Sequence, residues 1–254
     1  MSEALKLDNV QDAVSAEEWQ QRVDLAALYR LVALQGWDDF LFTHLSARIP
    51  GPEHHFLINP LGLRFDEVTA SSLVKVDTEG NKVMDSPYEI NPAGFTIHSA
   101  VHMAREDAMF VMHLHTDDGM AVSAMEDGLL PLSQHAMQCG EIAYHDYEGV
   151  ALDLDERERI VADLGQRQFM ILRNHGTLTV GVSANAVFTA MYYLERACTV
   201  QVKAMASGRV IMPPQGSPEK AAEQSTLLFD GSLDSIGWPA WLRKLDAVDT
   251  SYRT

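Results

Sequence analysis

The residues best suited to chemistry in this 254-residue chain are two histidines, His113 and His115, at the end of an apolar run. Alternate residues of a β-strand face the same side, so both imidazoles can point to one place where the strand ends. Two imidazoles suit Zn²⁺ or a similar divalent ion, although the pair alone is also compatible with half-buried histidines in ordinary hydrogen bonds. A third imidazole, His175, lies in a turn between two strand-like segments. Three histidines with an open fourth position are typical of a catalytic metal site, and we predict one here.

A second pair, His98 and His102, lies four residues apart on a predicted helix over residues 92–104, so the two side chains share a face. A zincin protease would need Glu directly after the first histidine, and Ser99 stands there instead. This excludes the zincin interpretation. The ordinary interpretation is that His98 packs near the helix start and that His102 is partly exposed.

The elements that position these side chains follow from apolar spacing, Pro and Gly. Ser15 and Glu18 form a predicted capping box before a helix that ends at Gly36. Strands are predicted near 41–49, 55–59, 73–77, 82–84, 108–114, 169–172 and 177–182. Further helices are predicted over 92–104, 117–125, 153–165 and 183–208, with short ones near 217–228 and 238–246. We expect one domain over residues 15–210, a flexible N-terminal arm over 1–14 and a C-terminal extension with short helices over 211–254.

Composition excludes several classes of function. A net charge of −17 argues against binding to nucleic acid or to an anionic membrane surface, because both need a positive field. The chain has no apolar run long enough for a membrane span, and its first residues do not resemble a signal peptide. Only two cysteines occur, far apart in sequence, which is typical of a reducing compartment. We therefore expect a cytoplasmic protein.

Taken together, residues of about 20–210 resemble the class II aldolase/adducin family. Five landmarks stand in the family's order: residues 43–48 (THLSAR) resemble its Gly-Asn-x-Ser-x-Arg strand, residues 59–62 (NPLG) its Thr-Pro-Ser-Gly turn, residues 95–105 its substrate-side helix, residues 113–116 (HLHT) its HxH(S/T), and residues 173–176 (RNHG) its x-Asn-His-Gly. The combination is specific, although each piece alone is not.

The resemblance implies a three-layer α/β/α fold with a mostly antiparallel central sheet. It also implies a homo-oligomer, commonly a tetramer, an expectation that Trp238 and Trp241 in the tail support because a monomer would have to cover them itself. In family members that are aldolases, the matching histidines bind Zn²⁺, which polarises a carbonyl and stabilises an enediolate. Carried over, the ligands are His113, His115 and His175, with Zn²⁺ the expected ion and Mn²⁺ an alternative.

The departures from the family concern the substrate. Sugar-phosphate aldolases carry Ser-Ser-Glu before the helix, where the serines hold phosphate and the Glu is the acid/base. Here Pro92 and Ala93 replace the serines, and Gly94, nineteen residues before His113, replaces the Glu. A sugar phosphate is therefore not the expected substrate, and we expect the substrate to use the space that Gly94 leaves. The sequence is nearest to the adducin-like branch.

Two functions remain open. The first is a metal-dependent lyase that cleaves a non-phosphorylated hydroxy or keto small molecule, by retro-aldol reaction or decarboxylation through a metal-bound enolate. Candidate bases that replace the missing Glu are His44, His135 and Asp117, which the sequence cannot rank. Candidate substrate-binding residues are Arg48, Asn59, Gly62, Arg64 and Gly94, of which the two arginines suit a carboxylate and Gly62 could expose backbone N–H groups to an anion. The second function is a non-catalytic adducin-like binding or scaffold protein.

Overall fold

Seven β-strands form one mixed sheet in the computed structural model, which describes residues 10–149 and 153–254. In chain order they are β1 His44–Arg48, β2 Phe56–Ile58, β3 Val74–Val76, β4 Phe110–Leu114, β5 Ile142–His145, β6 Phe169–Leu172 and β7 Gly176–Gly181. The spatial order is β3-β2-β1-β4-β7-β6-β5, and every neighbouring pair is antiparallel except β5 and β6. The predicted mostly antiparallel sheet is confirmed.

Helices cover both faces of the sheet. They are α1 Val10–Ala13, α2 Ala16–Gln35, α3 Pro92–Ala104, α4 Asp117–Ser123, α5 Gln134–Cys139, α6 Glu156–Leu164, α7 Ala184–Met205, α8 Ser217–Gln224 and α9 Asp234–Asp246. Met112 and Leu114 of β4 pack in the core with α2 and α7, whereas Val111 packs with α3 and α6. This alternation produces the predicted three-layer α/β/α arrangement. Among the described residues, no helix is both long and apolar enough to cross a membrane.

The first long helix, α2, begins and ends as its sequence predicts. The Ser15 hydroxyl accepts a hydrogen bond from the Glu18 N–H, and Gly36 ends the helix with a φ of 70°. The other half of the predicted capping box is wrong, because the Glu18 carboxylate instead pairs with the buried Arg22 and with Lys75. Two cations from different parts of the chain outcompete a single backbone N–H for this carboxylate.

Some predicted elements differ from the structure. The strand expected near 82–84 is reduced to a single bridge between Lys82 and Val76. The sequence analysis did not predict α5 and β5, which are only six and four residues long. Residues 1–9 of the expected N-terminal arm lie outside the described residues, and residues 10–13 form α1 with Val10 buried.

The C-terminal segment packs on the domain through α9. The Trp238 indole N–H donates to Asp24 on α2 at 2.8 Å, and the Trp241 ring meets the Phe188 ring of α7 with centroids 4.8 Å apart. Both tryptophans therefore contact the core of their own chain. Their burial within one chain therefore gives no support to an oligomer.

Candidate metal centre

His113 and His115 meet His175 at one end of the sheet. His113 is the fourth residue of β4, and His115 follows the strand directly. His175 occupies the tight turn between β6 and β7, where its N–H donates to the Leu172 carbonyl and Asn174 adopts the left-handed region with a φ of 54°. Thr43, just before β1, also has a positive φ of 63°. Two non-glycine residues in this uncommon conformation flank the same place, as is frequent at functional sites.

Hydrogen bonds orient two of the three imidazoles. The Nδ1 of His113 lies 3.0 Å from the Thr177 carbonyl oxygen, and the Nδ1 of His115 lies 3.0 Å from an Asp39 carboxylate oxygen. Both partners accept, so Nδ1 must carry the proton in each neutral ring. The Nε2 atoms are then bare, and they face each other at 2.9 Å. Two facing lone pairs repel unless a cation lies between them, which is the relationship of ligands to a shared metal.

The spacing of the three Nε2 atoms fits a small divalent ion. His175 Nε2 lies 3.3 Å from His113 Nε2. Tetrahedral Zn²⁺ with Zn–N bonds of about 2.0–2.1 Å holds its nitrogens about 3.3 Å apart, which matches the His113–His175 pair, while the 2.9 Å pair must open slightly. The ligand atoms of the three histidines all lie within 4.8 Å of one another. Among the described residues, no other group of three or more His, Cys, Asp or Glu side chains meets in this way. The donor set is all nitrogen, which suits Zn²⁺.

Burial keeps two of these imidazoles neutral, as metal ligation requires. Desolvation, followed by the neighbouring His175, His115 and His44, lowers the pKa of His113 well below its ordinary value. Desolvation, with His115 and His145, lowers the pKa of His175 to about 4. Both rings therefore offer lone pairs at neutral pH.

The trio faces a cleft of about 440 Å³. Its polar lining includes Asp39, His44, Asn91 and Tyr147, and its apolar lining includes Phe42. A cleft of this size accommodates a small molecule and leaves one side of the histidine trio accessible. No fourth side chain of ligand type closes that side within the described part of the chain.

His44 is the candidate base that the structure brings to this centre. It pairs with His113 in the register of β1 and β4, and the two ring centroids lie 5.1 Å apart. A Cβ atom on residue 94 would lie only 2.6 Å from His44 Cδ2 and 3.1 Å from His44 Nε2. The His44 ring thus occupies the space beside Gly94 that was expected to be open, and contact of Gly94 with substrate stays a prediction.

The other two candidate bases lie away from the cleft lining. His135 is on α5, where its ring contacts Tyr193 at 4.8 Å between centroids. Asp117 is the first residue of α4 and is exposed beside a separate cavity of about 400 Å³. Neither side chain lines the cleft with the three histidines.

The predicted substrate-binding residues, apart from Gly94, also lie elsewhere. Arg48, at the other end of β1, donates to the main-chain carbonyls of His102 and Arg105. Asn59 accepts from the Tyr29 hydroxyl, and Arg64 is half exposed and paired with Asp66. Gly62 has a φ of 100° in its turn, and none of these four lines the cleft. Their roles in substrate binding stay predictions.

Two carboxylates that the sequence analysis missed support the ligands. The Asp39 carboxylate orients the His115 ring by accepting its Nδ1 proton. Glu195 on α7 is buried and accepts hydrogen bonds from the hydroxyls of Thr116 and Thr177, which are adjacent in sequence to His115 and close to His175. Desolvation raises the pKa of Glu195 to about 7, although both hydroxyls oppose the shift. A sequence signal existed only for Thr116, which follows the HxH pair.

Comparison with known proteins agrees with this geometry. The family model described as the class II aldolase and adducin N-terminal domain matches residues 23–202. The chain belongs to this family. A Caulobacter vibrioides protein, named as an aldolase class 2 protein whose activity is unproven, is 59% identical over 98% of both chains. Rat alpha-adducin is 41% identical over 92% of this chain, but the match spans only 34% of the adducin.

Two solved structures share the fold over nearly the whole chain. An aldolase II superfamily protein from Pseudomonas syringae has a TM-score of 0.93 and 51% identity, and the match covers 97% of this chain and all of that one. An L-fuculose 1-phosphate aldolase from Glaciozyma antarctica has a TM-score of 0.83 and 29% identity, with 94% of each chain covered. The family assignment from the sequence is confirmed.

Proposed function

We propose that this family member is a metal-dependent lyase that cleaves a non-phosphorylated hydroxy or keto compound by retro-aldol reaction or decarboxylation. The proposal depends mainly on one observation: three imidazole Nε2 atoms converge beside an accessible cleft. Two of these atoms, in His113 and His115, carry no proton, because the Nδ1 atom of each ring donates to an acceptor. His113, His115 and His175 would hold the ion, with Zn²⁺ the first candidate and Mn²⁺ the second. A divalent ion bound there would polarise a carbonyl oxygen and stabilise negative charge that develops on it.

His44 is the proposed general base. It lines the cleft, and desolvation lowers its pKa well below the ordinary value, so its ring is uncharged at neutral pH and offers a lone pair, although the same burial makes it a weaker base. In a retro-aldol cleavage, His44 takes the proton of the substrate hydroxyl as the carbon–carbon bond breaks, and it returns that proton to the enolate carbon. The ring fills the place where a side chain on residue 94 would lie, which is the position of the acid/base carboxylate in the sugar-phosphate aldolases.

The chain's own residues support a substrate without phosphate. Pro92, residue 93 and Gly94 provide no hydroxyl or carboxylate at the start of α3. The cleft instead offers the Tyr147 hydroxyl as a hydrogen-bonding group, together with the apolar surface of Phe42 and Met120. A small oxygenated molecule with one apolar side fits this lining.

A non-catalytic adducin-like scaffold is the competing proposal. It draws on the 41% identity to rat alpha-adducin, although that match covers only about a third of the adducin. The accessible side of the histidine trio favours the enzyme, because a purely structural metal is normally enclosed by four protein ligands. The Asp39 and Thr177 hydrogen bonds to the ligands also favour retention of a working site.

The test begins with metal content. Protein purified without a histidine tag should contain about one divalent ion per chain by elemental analysis. A His113→Ala/His175→Ala double variant should lose it, and an equal metal content in both proteins would refute the site. Wild-type protein loaded with Zn²⁺ or Mn²⁺ is then screened against hydroxy-keto acids and 2-hydroxy carboxylates. Turnover that disappears in the double variant supports the lyase, whereas metal binding without turnover of any of these compounds favours the scaffold.

We also propose that the protein is a homo-oligomer, with a tetramer as the expected state. Large exposed apolar side chains beside the cleft, Phe40 at 65% and Phe42 at 55% exposure, support a partner surface near the centre. Light scattering at micromolar concentration should give a multiple of 28.2 kDa. A mass of one chain would refute the proposal.

A further inference from the structure

Behind the cleft, a buried serine links two histidines that the proposed function does not use. Ser46 on β1 lies with its hydroxyl oxygen 2.5 Å from His98 Nδ1 and 2.7 Å from His102 Nε2. His102 Nδ1 lies 2.9 Å from the Ala108 carbonyl oxygen. All three side chains are buried, and the expectation that His102 is partly exposed is wrong. The packing of α3 against β1 encloses the whole network.

If both imidazole rings are neutral, only one assignment of donors and acceptors satisfies the hydrogen bonds of this network. The Ala108 carbonyl can only accept, so His102 carries its proton on Nδ1 and its Nε2 is an acceptor. Desolvation lowers the pKa of His102 to about 3, so the ring is neutral. The Ser46 hydroxyl must then donate to His102, which leaves its oxygen to accept from His98. His98 therefore carries its proton on Nδ1, and its Nε2 is bare.

That bare nitrogen lies next to the proposed base. The His98 and His44 rings are perpendicular, with centroids 4.7 Å apart. His98 Nε2 and His44 Nδ1 are both buried and have no hydrogen-bond partner among the described residues. Burial of two unpaired polar atoms on adjacent rings is costly, and a hydrogen-bonded link between them that carries one proton removes the cost for both. Because His98 Nε2 can only accept, His44 Nδ1 must be the donor.

We propose that His98, fixed by Ser46 and His102, is a positioning residue that holds the proton of His44 on Nδ1 and leaves His44 Nε2 bare. The Nδ1 proton reaches His98 Nε2 through one water molecule, because the two nitrogens do not form a direct hydrogen bond. His44 Nε2, on the ring edge that faces Gly94, is then the atom that accepts a proton from a molecule in the cleft. This inference rests on the proposed function only where it names His44 as the base, since the proton positions exist without substrate.

Neutron diffraction from crystals of the deuterated full-length protein, grown with Zn²⁺, tests the inference directly. Deuterium should be found on Nδ1 and be absent from Nε2 in His44, His98 and His102. Deuterium on His98 Nε2, or on His44 Nε2, overturns the proposal. Because this measurement needs no substitution, a variant that fails to fold cannot obscure it. The zinc content is measured in the same crystals. Absence of zinc would refute the metal site, whereas deuterium on other nitrogens than those named would refute this inference, so the two outcomes can be told apart.

Two substitutions then distinguish positioning from simple packing. Ser46→Ala removes the acceptor of the His98 Nδ1 proton, so that proton should move to Nε2, and the proton of His44 should leave Nδ1 for Nε2. His98→Asn should change the same His44 proton. The matched control is Ser72→Ala, another buried serine, whose hydroxyl bonds Thr69 instead and whose loss should leave every histidine proton in place. An unchanged His44 proton in both Ser46→Ala and His98→Asn means that His98 only fills space.

Discussion

The His44 imidazole lies where a side chain on residue 94 would begin, since a Cβ atom there would be 2.6 Å from His44 Cδ2. The two positions are therefore a steric pair: a large side chain at 44 requires glycine at 94. In the sugar-phosphate aldolases, the resemblance places asparagine at the position of His44 and the acid/base glutamate at the position of Gly94. Under the proposed function, the acid/base role then lies on the strand, at His44, and not at the start of the helix.

This steric pair predicts a change of sign in a double-mutant cycle. Gly94→Ala alone should destabilise the protein by about 1–3 kcal/mol through overpacking against His44. In a His44→Ala background the clash is gone, and alanine should be neutral or stabilising by up to about 1 kcal/mol, because it suits a helix better than glycine does. Chemical denaturation at one fixed protein concentration measures both. Equal effects of Gly94→Ala in the two backgrounds would show that the residues are not coupled.

Asp39 should strengthen metal binding through His115. Asp39→Asn keeps a hydrogen-bond acceptor but removes the charge that favours a strongly donating imidazole, so metal affinity should fall by about 10–100-fold. Competition with a chromophoric zinc chelator measures the affinity. Asp38→Asn is the matched control, since this exposed neighbour does not contact the ligand. If both variants bind zinc equally well, the Asp39 contact does not tune the site.

Acid should destabilise the metal-free protein because buried histidines must stay neutral. The folded-state pKa of His102 is about 3, below its ordinary 6.5, so its contribution is present above pH 6.5 and is lost as the pH falls toward 3. Between those pH values the unfolded state binds one more proton than the folded state. Each such histidine therefore lowers the free energy of unfolding by up to about 1.4 kcal/mol for each unit by which the pH falls. Replacing His102 by Asn keeps a donor for the Ala108 carbonyl. The substitution should reduce the dependence of the unfolding free energy on pH by the amount that corresponds to about one bound proton.

The slope is measured by urea unfolding between pH 6.5 and 4 in the presence of a chelator. The exposed His54 provides the control, because His54→Asn should leave the slope as it is in the wild type. A His102→Asn slope as steep as that of the His54→Asn control would mean that His102 takes up its proton in the folded state.

Glu195 should give the opposite pH dependence. Its folded-state pKa of about 7 lies above the ordinary 4.5, so its contribution is fully present below pH 4.5 and is lost as the pH rises toward 7. Glu195→Gln should remove this loss, which amounts to up to about 1.4 kcal/mol per pH unit. Unfolding free energies at pH 5, 6 and 7 test the difference, with the exposed Glu158→Gln as control. Parallel wild-type and Glu195→Gln curves would contradict a raised pKa.

Cleavage of sugar phosphates should be negligible. Without the carboxylate at residue 94, the aldolase acid/base step loses about 10²–10⁴ in rate, and Pro92 offers no hydroxyl to a phosphate. The Zn²⁺-loaded protein is assayed with L-fuculose 1-phosphate beside the Glaciozyma antarctica aldolase as positive control. Comparable rates for the two proteins would show that His44 replaces the carboxylate for phosphorylated substrates as well.

Local patterns in the sequence were sufficient to predict the main elements and the three histidines that converge at one end of the sheet. The alternation of residues in β4 places His113 and His115 near one point, and a short turn places His175 there, because neighbouring strands bring their ends together. The α2 helix, from Ser15 to Gly36, follows from capping rules that act over a few residues. The family resemblance carried the layer order, which spacing alone did not give.

Only the tertiary structure decided which other side chains join the centre. Asp39 lies 76 residues from His115, and Glu195 lies 79 residues from Thr116, and no local pattern encodes such contacts. The same holds for His44 against Gly94, and for Ser46 between two histidines of α3. Sequence determines which face of a strand or helix a residue occupies, since that depends on backbone period. Which faces meet depends on how the layers pack, and at this centre packing placed His44, one of the three candidate bases, in the lining of the cleft.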